Sequence, residues 1–224
     1  MTEKQIFDDW PERYDRWFDI PIGKAVLRHE SELILDMLRP GRGERILDAG
    51  SGTGIFTREF LARGAGVVGL DISYAMLRRA ADKNAALAGR QAAADMVHLP
   101  FGNCAFDKTV SVTALEFIPD AGRAVAELFR VTKRGGVIVV ATLNSLSPWA
   151  LRRRENARHD PESVFNRVIF RSPADLLAAA PVAGVCRTAV HFGKEDDPLE
   201  FDRIEQEGQG SETGAFIAAR WEKR

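Results

Sequence analysis

The chain has 224 residues, with 31 lysines and arginines against 32 aspartates and glutamates, so it is long for one typical domain, short for two, and nearly neutral. That balance gives no electrostatic case for DNA or RNA as a main partner, because phosphate binding leans on clustered cations. The opening MTEKQIFDDWPERYDRWF is too charged for a secretory signal and no apolar run approaches membrane-spanning length, so a cytoplasmic protein without a membrane span is expected.

Phe7, Trp10, Tyr14, Trp17 and Phe18 recur at helical spacing, and Pro11 places the helix start near Trp10 or Pro11. A second helix is expected over Ala25–Leu38, stopped by Pro40 and Gly41. Strands then alternate with helices: strand Arg45–Asp48, helix Ile55–Arg63, strand Gly66–Leu70, helix Ala75–Ala88 capped by Ser73, strand Ala92–Asp95, strand Asp107–Ala114, helix Ala121–Thr132, strand Val137–Thr142. The pattern changes at residues 144–168, which read as polar, arginine-rich and irregular. Helix Ser172–Ala180 follows, with Ser172 as cap and Pro173 at its first position. Val185–Phe192 and Gly214–Trp221 are two consecutive strands with no predicted helix between them, which suggests an antiparallel hairpin. The expected fold is α/β: a doubly wound, seven-stranded, mostly parallel sheet with helices on both faces and an antiparallel hairpin at the edge. The division is an N-terminal helical extension or lid at 1–40 and a sheet domain at 41–224, with 144–168 as an insertion.

The strongest local signal is Ile46-Leu47-Asp48-Ala49-Gly50-Ser51-Gly52-Thr53-Gly54. A strand delivers a carboxylate, then glycines at alternate positions, then a helix whose first N–H groups are free. The dinucleotide fingerprint G-x-G-x-x-G is not met, because the glycines fall as G-x-G-x-G. Asp48 would repel a pyrophosphate and suits a ligand with a cationic end, such as an α-amino group. Asp71 ends the second strand in Val67-Val68-Gly69-Leu70-Asp71-Ile72-Ser73, where a carboxylate can accept both hydroxyls of a ribose. An acid in that place is expected to have no packing role. Asp95, followed by Met96, ends the third strand and can reach an adenine amino group, or else is a simple turn residue.

Read in order, ILDAGSGTG, VGLDIS, AADMVHLPF, FDKTVSVTALEFIPD and ELFRVTKRGGVIVVATLN resemble the motif series of class I S-adenosylmethionine-dependent methyltransferases, nearest the small-molecule branch with quinone-biosynthesis-type enzymes. The resemblance covers roughly residues 44–144. It implies that S-adenosylmethionine is the cofactor and that Asp48 with the backbone of Gly50, Ser51 and Gly52 holds the methionine moiety. It further implies that Asp71 takes the ribose, Ile72 and Met76 flank the adenine, Asp95 with Met96 reads its edge, and Thr113 lines the sulfonium end. A tyrosine from the N-terminal region is implied near the methionine carboxylate, which points to Tyr14. The plain alternative for that aromatic stripe is a helix covering the core. Where the family often carries histidines after the fourth strand, this chain has Leu115-Glu116-Phe117-Ile118-Pro119-Asp120, so no histidine base is evident and no catalytic residue is assigned.

Acceptor-side expectations are broader. Glu116, Phe117 and Asn144 follow the fourth and fifth strands and are expected to face a small-molecule methyl acceptor. Glu116 reads as a solvent-facing or capping acid, with a base or a ligand for a cationic acceptor as the alternative. The run Arg152-Arg153-Arg154 with Arg158 reads as a solvated face, with anion capture as the alternative. His29, His98, His159 and His191 form no pair with ligand or triad spacing, and Cys104 and Cys186 match no metal spacing and are expected as buried thiols, so no metal is assigned. The rival readings are an NAD-dependent oxidoreductase, disfavoured by the glycine spacing and Asp48; a domain that binds S-adenosylmethionine without chemistry; and a base methylase, for which no N-P-P-Y or D-P-P-Y segment follows the fourth strand.

Overall fold

The structure is a computed structural model that describes residues 5–224; residues 1–4 of the N-terminal extension lie outside the described residues. The elements in chain order are α1 (Pro11–Trp17), α2 (Pro21–Leu38), β1 (Arg45–Ala49), α3 (Thr57–Ala62), β2 (Gly66–Asp71), α4 (Tyr74–Lys83), β3 (Gln91–Ala93), β4 (Phe106–Val112), α5 (Ala121–Val131), β5 (Thr132–Leu143), α6 (Pro148–Arg158), α7 (Pro173–Ala178), β6 (Val185–Ala189), α8 (Phe201–Gly208) and β7 (Phe216–Glu222). One seven-stranded sheet runs in the order β3-β2-β1-β4-β5-β7-β6. The first five strands pair in parallel, and β7 pairs antiparallel with both β5 and β6. The strand order reverses between β1 and β4, which opens a crevice beyond their carboxyl ends.

Strand alternation feeds two cores. Ile46, Val67, Val110, Val139 and Phe216 face one side, where α2 and α3 add Ile34, Leu38 and Phe60. Leu47, Leu70, Ile138, Val140 and Trp221 face the other, against Val125, Leu128 and Leu176 of α5 and α7. Strands so covered on both faces read as near-continuous apolar runs, as β5 does. Each fully buried Leu or Ile contributes roughly 1.5–3 kcal/mol of transfer free energy.

Three expectations are corrected. Residues 144–168 are not irregular throughout: Ser147 caps α6 with its hydroxyl at 3.1 Å from the Ala150 N–H, and Pro148 follows in the first turn. The segment between β6 and β7 is not a loop, for α8 occupies it, and its buried Glu205 accepts the N–H groups of Val190 (3.0 Å) and His191 (2.7 Å) at the end of β6. The antiparallel pair therefore forms around a helix and not a short turn. Finally, Cys104 is exposed and Cys186 half-buried, each a free thiol. No described helix is long and apolar enough to cross a membrane.

Candidate functional site

The turn after β1 is built from backbone. The N–H groups of Gly50 (2.7 Å) and Ser51 (2.9 Å) both donate to the Leu70 carbonyl of β2, and the Gly52 N–H donates to Asp71 Oδ2 at 2.8 Å. Gly50 sits at φ +78°, and a Cβ there would fall on the Ala114 side chain, so both conformation and space demand glycine. Gly69 packs closely for a different reason: a Cβ there would lie 2.9 Å from Ser51 Oγ, so the serine side chain would have to turn aside. Asp71 Oδ1 also accepts the Ser73 N–H at 2.9 Å, and Ser73 Oγ caps α4 by accepting from Met76. Asp71 thus ties the glycine loop to the start of α4, a structural duty the sequence reading did not give it.

Beyond the strand ends lies a cavity of about 490 Å³. Its walls include Asp48, Gly50, Ser51, Gly52, Asp71, Ile72, Met76, Asp95, Met96, Thr113, Phe117 and Tyr14, so all the residues expected at the cofactor, together with Phe117, line one space. Asp48 is 2% exposed and accepts the Thr57 hydroxyl at 2.6 Å. Burial pushes its carboxyl up to about 7, against the lowering effect of Thr57 and with a further upward push from Asp71. Asp71 is likewise raised, chiefly by burial, with the N–H groups of Ser73, Gly52 and Ile72 pulling the other way. Asp95 is exposed and makes a turn, accepting Val97 N–H at Oδ1 (3.0 Å), while still lining the cavity. Ile72, 48% exposed, forms an apolar lip at the mouth.

Two of the residues expected to face the acceptor do not line this cavity. Asn144 is fully buried and its amide is spent on backbone, donating to the Glu212 and Gly214 carbonyls at 2.7 Å and accepting from Leu146 at 3.0 Å. Glu116 is buried outside the cavity wall, neither solvent-facing nor a cap, with the Thr142 hydroxyl donating to it at 2.9 Å. Burial pushes Glu116 up to about 7 against its hydrogen bonds and the charges of Arg153 and Arg171.

Sequence reasoning missed the fastening of α1. Asp15 accepts from Thr53 of the glycine loop (2.6 Å) and from Arg79 (2.9 Å) and Lys83 (2.7 Å) of α4, and Asp8 accepts the Ser73 hydroxyl at 2.7 Å. Phe7 meets Phe117 edge-to-face at 4.8 Å and also lines the cavity. The only signal in the sequence was acids interleaved with the aromatic stripe. Tyr14 points inward, its hydroxyl bonded to Thr113 and its pKa raised chiefly by burial.

The site fits the implied cofactor. Among the described residues, Asp48 is a buried carboxyl on the cavity wall with no cation paired to it, and Ser51 carries a buried hydroxyl with no hydrogen-bond partner. Both are groups that a bound amino acid end would satisfy. Crevice, glycine loop and strand-end acids define a Rossmann-like protein that takes a nucleoside with a cationic tail. Comparison with known proteins gives the family. Residues 47–140 match the model described as a methyltransferase domain. A demethylmenaquinone methyltransferase of Thermobifida fusca (strain YX) is 33% identical over 66% of this chain and 64% of its own length. A malonyl-[acyl-carrier protein] O-methyltransferase of Serratia marcescens is 38% identical over 80% of this chain and 78% of its own. Among solved structures, a SAM-dependent methyltransferase of Thermotoga maritima, described as a possible histamine N-methyltransferase, superposes with a TM-score of 0.77 over 98% of this chain and 99% of that one, at 21% identity, a likeness of fold alone. The chain belongs to the S-adenosylmethionine-dependent methyltransferases. The first of these relatives is spanned by this chain over less than two thirds of its length.

Proposed function

We propose that the chain transfers the methyl group of S-adenosylmethionine to a small-molecule acceptor by in-line displacement beyond the carboxyl ends of β4 and β5. In this reading Asp48 and the backbone of Gly50, Ser51 and Gly52 hold the methionine end. Asp71 accepts the ribose hydroxyls, Ile72 and Met76 enclose the adenine, Asp95 and Met96 meet its edge, and Tyr14 and Thr113 line the reacting end. Bound S-adenosylmethionine supplies a methyl group already activated by a sulfonium charge. The chain's own work is then to position the reactants and exclude water. The helical segment within 1–40 acts as the cover, held by Asp8 and Asp15, and closes over an acceptor region that includes the 144–168 insertion.

The observation that carries the reading is the Asp48 carboxyl, buried on the cavity wall and pushed up to about 7. The empty fold holds this proton more tightly than the unfolded chain does. Its contribution to stability is therefore complete below the ordinary carboxyl range and is lost as pH rises through about 7. A ligand ammonium reverses that loss. Calorimetry across this pH range should show saturable binding of S-adenosylmethionine and its demethylated product, tightening as pH rises through about 7. Equal or tighter binding of NAD would sink the reading. Transfer of labelled methyl to any acceptor separates the enzyme from a binding domain without chemistry.

A further inference from the structure

Behind Tyr14 two buried carboxylates, Glu30 and Glu116, lie within electrostatic reach of a half-buried arginine, Arg153, and none of the three lines the cofactor cavity. Glu30 of α2 is 6% exposed, and no hydrogen bond or ion pair from any described residue reaches its carboxylate. Arg153 of α6 lies with its guanidinium between two rings, 5.0 Å from the Trp149 centroid and 5.1 Å from that of Phe165. It too has no hydrogen-bonded or ion-paired partner among the described residues, although it is near enough to Glu30 and Glu116 to feel both charges. Glu116 completes the set, one oxygen taken by Thr142. Tyr14 is the wall shared with the cofactor cavity: it lines that cavity, bonds Thr113 at the end of β4, and feels both Glu30 and Glu116.

Buried carboxylates are normally paired, because an unpaired charge away from water is costly. Here the folded chain places an arginine within electrostatic reach of two carboxylates and closes no contact between arginine and acid. The other nearby cations are committed. Arg171 donates to the Leu115 carbonyl (2.8 Å) and the Ile118 carbonyl (2.6 Å), and Lys194 lies over the Trp17 and Trp149 rings at 5.3 and 5.6 Å. What Glu30 lacks is a donor. The rings beside this set are Tyr14 of α1 and, against Arg153, Trp149 of α6 and Phe165.

We propose that Glu30, backed by Glu116 and Arg153, binds the amine of the methyl acceptor and takes its proton, so that the substrate class is a primary or secondary amine. This rests on the methyltransferase reading above. An amine that arrives as an ammonium has no free electron pair. One N–H proton passes to the Glu30 carboxylate, giving a carboxylic acid and a neutral amine. The nitrogen pair then forms the N–C bond to the transferred methyl while the C–S bond breaks, its pair staying on sulfur as a neutral thioether. The methylated ammonium product sheds or keeps its remaining proton on release. Burial pushes Glu30 up to about 8, assisted by Glu116 and opposed by Arg153, which suits a group that must accept a proton near neutrality and give it up again. The groups that set this value are Arg153 on α6, Glu116 after β4 and the Tyr14 hydroxyl on α1.

The test uses the full chain saturated with S-adenosylhomocysteine and three isosteric probes, benzylamine, benzyl alcohol and benzoate, chosen for the aromatic walls. Calorimetry at pH 7 in buffers of different ionisation enthalpy should show benzylamine binding most tightly and releasing a proton, because the ammonium displaces the one Glu30 holds. Glu30→Gln should abolish the proton release and weaken benzylamine by about ten- to a hundredfold, with S-adenosylhomocysteine affinity unchanged. Glu30→Asp should retain proton release at reduced affinity, which keeps the test informative if the glutamine variant is poorly folded. Preference for benzoate or benzyl alcohol, absence of benzylamine binding, or equal benzylamine affinity in a folded Glu30→Gln variant overturns the proposal. Failure of S-adenosylhomocysteine itself to bind overturns the cofactor reading instead.

Discussion

The carboxyl edge of the sheet has two halves assembled on different principles. Between β1 and β2 the site is made of backbone: glycine N–H groups, one carbonyl and strand-end acids contiguous in sequence, with Asp71 bonded to Gly52 and Ser73 before any ligand arrives. Beyond β4 and β5 it is made of side chains brought from α1, α2 and α6, and charges there stand near one another without bonding. A half that must recognise the same cofactor in every family member can be pre-built and locally encoded. In the reading proposed above, the half that would recognise one acceptor is built from tertiary contacts and keeps its unsatisfied groups for the ligand.

The largest expected effect breaks the first half at its tightest point. Gly50→Ala introduces a Cβ at φ +78° and drives it into Ala114, so no rotamer relieves it. Isotherms with S-adenosylhomocysteine should show a loss of at least about a hundredfold, from roughly 1–3 kcal/mol of backbone strain plus the displaced loop. Affinity within a few-fold of the parent chain would show the loop to be softer than the geometry implies.

Asp71→Ala comes next. Its two accepted backbone N–H groups are lost along with the proposed ribose contact, so cofactor affinity should fall by about one to two orders of magnitude. Chemical denaturation should also show a loss of about 1–3 kcal/mol for the ligand-free chain, since buried donors are left unpaired. Unchanged stability would return Asp71 to a purely ligand-facing acid.

Asp15 sits where the halves join. Burial raises its carboxyl, but hydrogen bonds from Lys83, Thr53 and Arg79 outweigh that and hold it below its ordinary value. A depressed carboxyl contributes stability that is present above the ordinary range and lost as pH falls through the folded value. Amide protection factors over residues 10–18, taken against the intrinsic exchange rate at each pH, should therefore fall on acidification ahead of those of the sheet, and Asp15→Asn should lower them at neutral pH. Equal protection of α1 in both chains would mean that the aromatic packing alone holds the cover.

The same contrast explains what the sequence disclosed. The succession of strands through β5 and the residues that line the cavity were legible because periodicity and glycine spacing are local signals. Ser172-Pro173 was read as a helix start, and the equivalent Ser147-Pro148 was not, because three arginines and an exposed Leu151 gave α6 no apolar face to recognise. α8 was missed for a similar reason, its few apolar residues set among acids, one of which, Glu205, is buried to cap the end of β6. Glu30 carries no signal at all: an acid in an amphipathic helix reads as solvent-facing until the tertiary fold buries it.

The smallest effect gives the sharpest comparison, because it uses two neighbours in one basic run. Arg152 and Arg153 are adjacent in sequence and were read alike as a solvated face. In the structure Arg152 is half exposed and pairs at 2.7 Å with Glu195, itself largely exposed. Such a pair contributes about 0–1 kcal/mol at most, because solvent screens the attraction and two long side chains lose freedom to form it. Arg153 faces inward between Trp149 and Phe165 and feels Glu30 and Glu116. Arg152→Ala should leave thermal stability, cofactor affinity and amine binding unchanged within error. Arg153→Ala should raise the pH at which the proton-release signal of benzylamine is centred, because the cation that lowers Glu30 and Glu116 is gone. If both alanine variants behave like the parent in that titration, the inward arginine is only packing, and the charges behind Tyr14 do not act as a unit.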